Sequence, residues 1–264
     1  MLEKELIDDL NIALEASKGA GDIIMKYYKN DYEIKEKGYH NPVTTADHEA
    51  DDFLKKTLLN ARPKYGWLSE ETVDSKERLT KKKVWIVDPI DGTKEFIEGV
   101  PQFVVSIGLV DNGKPVVGVL HNPATNETFY ASHGSGSFLN EERFEVNKKD
   151  SINEMTILNS RSETRRGLWE PFKNSFKRLK PIGSVAYKMG LTAVGEADIF
   201  ATLRPKNEWD VCAGVCLINE AGGKSINLNG QDLEFNKEKT LIEPGIIAGY
   251  NLSVDKTYKE LNKE

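Results

Sequence analysis

Val84-Trp85-Ile86-Val87 is an unbroken apolar run that stops abruptly at Asp88-Pro89-Ile90-Asp91-Gly92-Thr93. Successive apolar residues on a strand point to opposite faces, so this run demands cover on both sides and sets the strand inside a layered fold. Its carboxyl end is then occupied by acids. Pro89 stiffens the turn and has no N–H to give, while Gly92-Thr93 opens a short helix, so two carboxylates and several main-chain N–H groups face one point. Carboxylates crowded in this way repel unless something positive separates them, and hard divalent cations with oxygen ligands are the usual answer. The helix start beside them suits an anion such as phosphate. The plainer alternative is an Asx-turn with a cap on the following helix.

The rest of the chain limits what such a site can belong to. With 264 residues, 36 Lys plus Arg and 42 Asp plus Glu, the chain is long enough for a large core and carries a net charge of −6. No broad basic face is present for a nucleic acid polymer, and Lys81-Lys82-Lys83 reads as a solvated loop. Cys212 and Cys216 are the two cysteines. They give no disulfide framework, and their spacing on an apolar helix reads as packed core thiols in a reducing, cytoplasmic setting. The N-terminus has the charge pattern of neither a secretory signal nor a membrane span, so no membrane partner is expected.

Apolar positions over residues 2–29 recur at steps of three and four, which predicts an amphipathic helix. A turn at Lys35–Gly38 precedes Thr44-x-x-Asp47, a capping-box pattern opening a second helix to about Asn60. Strands are expected at Tyr65–Ser69, Val84–Val87, Val104–Val110, Pro115–Leu120, Glu127–Ala131 and Ser137–Leu139, with Asn112-Gly113 marking a hairpin. From Ser151 strand and helix alternate: a strand at Met155–Asn159, helices at Glu163–Arg178 and Ser184–Gly195, a strand at Ala197–Ala201 and a helix at Trp209–Ala221. The organisation predicted is a helix pair with a mostly antiparallel sheet over residues 1–150, an α/β half over 151–264, and a cleft between them.

Two further acidic stretches stand at element ends, Ser69-Glu70-Glu71 after a strand and Glu208-Trp209-Asp210 at a helix start. Together, Asp88-Pro89-Ile90-Asp91-Gly92-Thr93, Trp209-Asp210 with Ala213-Gly214, and Glu220-Ala221-Gly222-Gly223 resemble both signatures of the inositol monophosphatase superfamily of magnesium-dependent, lithium-sensitive phosphatases. The resemblance runs from Pro42 to Gly223 and implies that superfamily's layered α-β-α-β-α form of the α+β class. Gly92-Thr93-Lys94-Glu95-Phe96 looks most like its bisphosphate nucleotidase branch.

Carried over residue by residue, the resemblance implies that Glu70, Asp88 and the carbonyl of Ile90 hold one Mg²⁺. Asp88, Asp91 and Asp210 would hold a second, with Glu71 beside a third. Thr93, aligned by Asp47, would orient a metal-activated water for in-line attack, and the N–H groups of Gly92 and Thr93 would hold the phosphate. Lys188 stands where the nucleotidases bind a second phosphate. Val185 departs from a serine expected there, and Leu203 replaces a glutamate that contacts inositol in inositol monophosphatases. The implied reaction is hydrolysis of 3′-phosphoadenosine 5′-phosphate to AMP and phosphate, with a homodimer as the implied assembly. Inositol monophosphate, histidinol phosphate and fructose 1,6-bisphosphate are the rival substrates, and a non-catalytic phosphate-ligand binder is the rival class. Trp67, Trp85 and Trp209 adjoin the acids, either as cleft walls or as core.

Overall fold

The computed structural model describes residues 2–38 and 41–263, and His40 lies outside the described residues. α1 (Leu2–Tyr27) buries Ala13, Ala16, Ala20 and Ile24 at the predicted helical spacing. The segment expected to turn at Lys35–Gly38 instead forms β1 (Ile34–Gly38), paired antiparallel with β2 (Asn41–Thr44). Its charged residues have weak strand propensity, and pairing with β2 overrides it. α2 (Thr45–Ala61) follows, and the Thr44–Asp47 capping box is formed.

β3 (Gly66–Ser69) and β4 (Lys83–Asp91) come next, then the short α3 (Thr93–Ile97). β5 (Val104–Asp111), β6 (Lys114–Asn122), β7 (Glu127–Ser132), β8 (Gly136–Leu139) and β9 (Glu142–Phe144) complete a seven-stranded sheet in the order β3-β4-β5-β6-β7-β8-β9. β3 and β4 are parallel, and the later neighbours are antiparallel. On β4, Trp85 and Val87 pack with the α1–α2 layer while Val84 and Ile86 join the opposite core, which is the two-sided burial the apolar run demands. Lys83 departs from its reading as a solvated loop residue. It is buried at the start of β4, with its ammonium 2.9 Å from Glu5 and 3.2 Å from Asp9.

The chain continues through β10 (Thr156–Ser160), α4 (Arg161–Arg165), β11 (Arg178–Ile182), α5 (Val185–Ala193), β12 (Ile199–Thr202) and β13 (Lys206–Asn207). It ends with α6 (Glu208–Glu220), β14 (Lys224–Asn227), β15 (Leu241–Ile242), β16 (Ile246–Gly249) and α7 (Asn251–Leu261). A second sheet runs β11-β10-β12-β16-β14, parallel where β10 meets β11 and β12, antiparallel around β16. The helix expected over Glu163–Arg178 is not formed. α4 ends at Arg165, Gly167 takes a φ of 74°, and Pro171 sits in a single 3₁₀ turn before β11. A left-handed glycine ends a helix, and a proline has no N–H with which to continue one.

The layers stack as α1/α2, first sheet, α5/α6, second sheet, α7, the α+β architecture implied by the resemblance. α6 lies close on the first sheet because a glycine leaves room for it: a Cβ on Gly118 would stand 2.4 Å from the carbonyl of Ala213. Cys212 and Cys216 pack as buried thiols in that contact. The same close approach brings Asp210, in the first turn of α6, to the end of β4. No helix among the described residues is long and apolar enough to cross a membrane.

Candidate active site

Residues three apart on a regular strand face opposite ways, yet Asp88 and Asp91 line one cavity. The register explains this: Asp88 stands opposite Ser106 and Asp91 opposite Val104, so three steps on β4 meet two on β5. The extra residue is a bulge at Pro89-Ile90, where a missing N–H costs no ladder bond. The bulge re-aims Asp91 to the side of Asp88.

Carboxylate oxygens of Glu70, Asp88 and Asp210, one from each, lie within 4.8 Å of one another. With Asp91, Ile90, Gly92 and Thr93 they line a cavity of about 230 Å³. Burial raises Asp88 well above the usual carboxylate range, and the charges of Glu70, Asp91 and Asp210 raise it further. Burial likewise raises Asp91, relieved in part by the Ser184 hydroxyl, and raises Asp210, with Asp91 and Glu70 adding to the effect. Acids this reluctant to ionise together, offering oxygen donors alone, fit a hard divalent cation rather than zinc. His48, His121 and His133 do not line the cavity, and Glu71 also stands outside its lining, its N–H donating to Ser69 Oγ at 3.3 Å.

The structural and chemical readings of these residues coexist. Asp88 accepts the N–H of Ile90 at 3.0 Å, an Asx-turn, while belonging to the acidic cluster. Asp91 does not cap α3, whose cap is Gly92 at a φ of 107°. It accepts instead from the Ser184 hydroxyl and from the N–H of Ala186 at 2.5 Å. Asp47 divides its two oxygens: one accepts the N–H and hydroxyl of Thr44 at 2.8 and 2.6 Å, the other the hydroxyl of Thr93 at 3.1 Å. Burial holds Asp47 above its ordinary value against the hydrogen bonds from Thr44 and Thr93.

Lys188 forms part of the cavity lining, with its ammonium turned to the backbone: 3.0 Å from the carbonyl of Ile182, 3.5 Å from that of Gly183, and bonded to that of Ser184. Three acceptors occupy three ammonium hydrogens. Burial pushes it down to about 8, opposed by the attraction of Asp91. Lys206 and Val185 also line the cavity, whereas Leu203 packs against the core under α7 and is not part of the lining. Trp85 is core, Trp67 and Trp209 are partly buried against the cores, and none of the three lines the cavity.

One positioning residue, Asp51, is absent from the sequence reading, and another, Ser184, enters it only as the start of a helix. Asp51 accepts the hydroxyls of Ser69 and, at 2.5 Å, Thr72, pinning both ends of the segment that carries Glu70 and Glu71. Ser184 ties Asp91 to the start of α5. Their signal is only a polar residue inside α2 and another at the start of α5, and the partners lie 18 and 93 positions away.

The fold and the crowded oxygen-donor site define a phosphatase of the metal-dependent kind that acts on small phosphorylated compounds. The inositol monophosphatase family profile matches residues 6–263, and the chain belongs to that family. The fructose-1,6-bisphosphatase/inositol-1-monophosphatase of Thermotoga maritima is 32% identical, covering 91% of this chain and 93% of its own. The 3′(2′),5′-bisphosphate nucleotidase CysQ of Aggregatibacter actinomycetemcomitans is 30% identical over 94% of each chain. A solved inositol monophosphatase from Thermotoga maritima superposes with a TM-score of 0.86 at 30% identity, covering 97% of both chains.

Proposed function

We propose that this chain is a magnesium-dependent phosphomonoesterase that hydrolyses 3′-phosphoadenosine 5′-phosphate to AMP and phosphate. The observation that carries the reaction class is the cluster of Glu70, Asp88 and Asp210 beside Asp91 and Thr93. Glu70, Asp88 and the Ile90 carbonyl would hold one Mg²⁺, Asp88, Asp91 and Asp210 a second, and Glu71 would stand near a third. When bound, the ions neutralise phosphoryl oxygens and make nearby water more acidic. The chain's own residues orient and move the proton: water donates to Thr93 Oγ1, whose hydroxyl donates to Asp47. The raised affinity of Asp47 for a proton suits it to receive one. The N–H groups of Gly92 and Thr93 face the phosphate in this reading. As water oxygen joins phosphorus the ester bond breaks, and the leaving 3′-oxygen takes a proton from solvent.

The nucleotide rests on Gly92-Thr93-Lys94-Glu95-Phe96, on the CysQ relative and on Leu203, which presents no carboxylate to the cavity. Lys188, its donors committed to backbone, contributes positive charge to the cavity floor. A cytoplasmic homodimer completes the proposal. A second reading, a sugar bisphosphate substrate, draws on the relative named for fructose 1,6-bisphosphate. Phosphate release with Mg²⁺ from 3′-phosphoadenosine 5′-phosphate, fructose 1,6-bisphosphate, inositol 1-phosphate and histidinol phosphate decides, each with and without Li⁺. The nucleotide should lead by about 100-fold or more in kcat/KM. A sugar or inositol phosphate in the lead overturns the substrate assignment, and silence on all four overturns the enzyme.

A further inference from the structure

The cavity at the carboxylates does not close at its outer side. A second hollow of about 480 Å³ adjoins it and shares Pro42, Lys94, Ser162 and Arg165 as lining. Those four residues form the threshold between an acidic chamber and an outer one. The outer chamber has a different character: Ile34, itself half exposed, Ile97 and Pro42 give it apolar wall, Glu36 and Glu98 add carboxylates at its side, and Arg166 adds a further cation.

The charges along this trough are unevenly neutralised. Arg161 is bound to Glu95 at 2.8 Å and to Glu98 at 2.7 Å, which accounts for those acids. Lys94, Arg165 and Arg166 are exposed, and none has an ion-pair partner among the described residues. Three unpaired cations around a hollow next to a phosphatase centre are matched by an anion that the substrate brings with it. Lys188 cannot play that part directly, since its three hydrogens go to the carbonyls of residues 182–184.

We infer that Lys94 and Arg165 form a subsite for a second phosphate of the substrate, with the outer hollow receiving the organic body that joins the two phosphates. The subsite rests on the reading of the acidic chamber as the place of hydrolysis, and it narrows the substrate class to bisphosphates. The scissile phosphate lies among the carboxylates and the second crosses the threshold. A guanidinium and an ammonium on one phosphate give charge-assisted hydrogen bonds, roughly twice as strong as neutral ones. Discrimination against the monophosphate therefore follows.

The test compares wild type with a Lys94→Gln, Arg165→Gln double variant on 3′-phosphoadenosine 5′-phosphate and on adenosine 3′-phosphate, with Mg²⁺. Both side chains are exposed, and a matching far-ultraviolet spectrum and Tm check the fold. The ratio of kcat/KM for the bisphosphate over the monophosphate should fall at least about tenfold, mainly through KM of the bisphosphate. An unchanged ratio overturns the subsite. Calorimetric titration with the same two nucleotides separates the subsite from the proposed activity. Tighter binding of the bisphosphate, lost in the variant, upholds the subsite even if wild type cleaves neither nucleotide. Equal binding of both by wild type overturns it.

Discussion

The inner and outer walls of the cleft are built on opposite terms. Inside, three of the acids are held by hydrogen bonds whose partners are themselves fixed: Asp88 by the N–H of Ile90, Asp91 by Ser184 and Ala186, Asp210 by the N–H of Asn207 at 2.8 Å. Outside, Lys94, Arg165 and Arg166 stand on short helical turns with no ion pair among the described residues to fix them. Groups held rigidly against mutual repulsion keep a reaction geometry at some cost in stability, while loosely held cations adapt to what they bind. The difference separates chemistry from selectivity along one trough, and it is open to attack at each level.

The hardest blow falls on Asp88, the acid that would serve both ions in the proposed site. Asp88→Asn keeps an acceptor for the Ile90 N–H, so the turn survives while a ligand charge is lost. Turnover should drop roughly 10⁴-fold or more, since a metal contributes several kcal/mol and each 1.36 kcal/mol is tenfold. The metal-free variant should also melt higher than wild type, because one of the crowded buried charges is gone. Loss of activity with a lower Tm would mean Asp88 serves the fold instead. Next in size, Thr93→Ala should lower kcat by roughly 10²–10⁴-fold with Mg²⁺ affinity little changed, the scale of proton-transfer assistance. A drop confined to KM would remove Thr93 from the chemistry. Smaller again, Asp51→Asn and Ser184→Ala should each weaken Mg²⁺ binding about 10–100-fold, the usual effect of losing a partner that orients a ligand. Calorimetry on the two variants checks this, and wild-type affinity in both would make the tethers merely structural.

How far these walls were legible in the sequence follows from the range of the interactions. Asp88 to Thr93 could be read because strand, bulge, turn and helix start are consecutive, and the Thr44–Asp47 capping box for the same reason. The Glu163–Arg178 segment departs from the expected helix because its charged and apolar residues keep a helical spacing that Gly167 and Pro171 interrupt. β16 and α7 have no counterpart among the expected elements, and β16 is placed by pairing with β12 and β14 from distant parts of the chain. The tether from Ser184 to Asp91 and the backbone commitment of Lys188 are facts of three-dimensional neighbourhood. Periodicity reports which face is buried, not which hydroxyl meets which carboxylate.

The smallest effect expected is a dependence on pH of how much Mg²⁺ stabilises the fold. Asp88, Asp91 and Asp210 all have folded values raised above their ordinary range near 4. A raised acid contributes to metal-free stability fully below its unfolded value, and that contribution is lost as pH rises through the folded value. Lys188, lowered to about 8, carries its penalty in full below that pH and is relieved only on the way to the ordinary lysine range near 10.4. Its contribution is therefore flat below about pH 8, where Asp91 loses its proton, and begins to change only where Asp210 is still titrating. Mg²⁺ requires the ionised acids, so its stabilisation should grow over the same interval in which the metal-free protein weakens. At about 100 times its dissociation constant, a ligand adds about 2.7 kcal/mol, which is a rise of roughly 5–10 °C for a chain of this size. Thermal melts with and without Mg²⁺ should show that rise near about pH 8 and much less near about pH 5. An equal rise at both would mean the ion binds groups already ionised at low pH, and the inner wall would lose its role as the metal's seat.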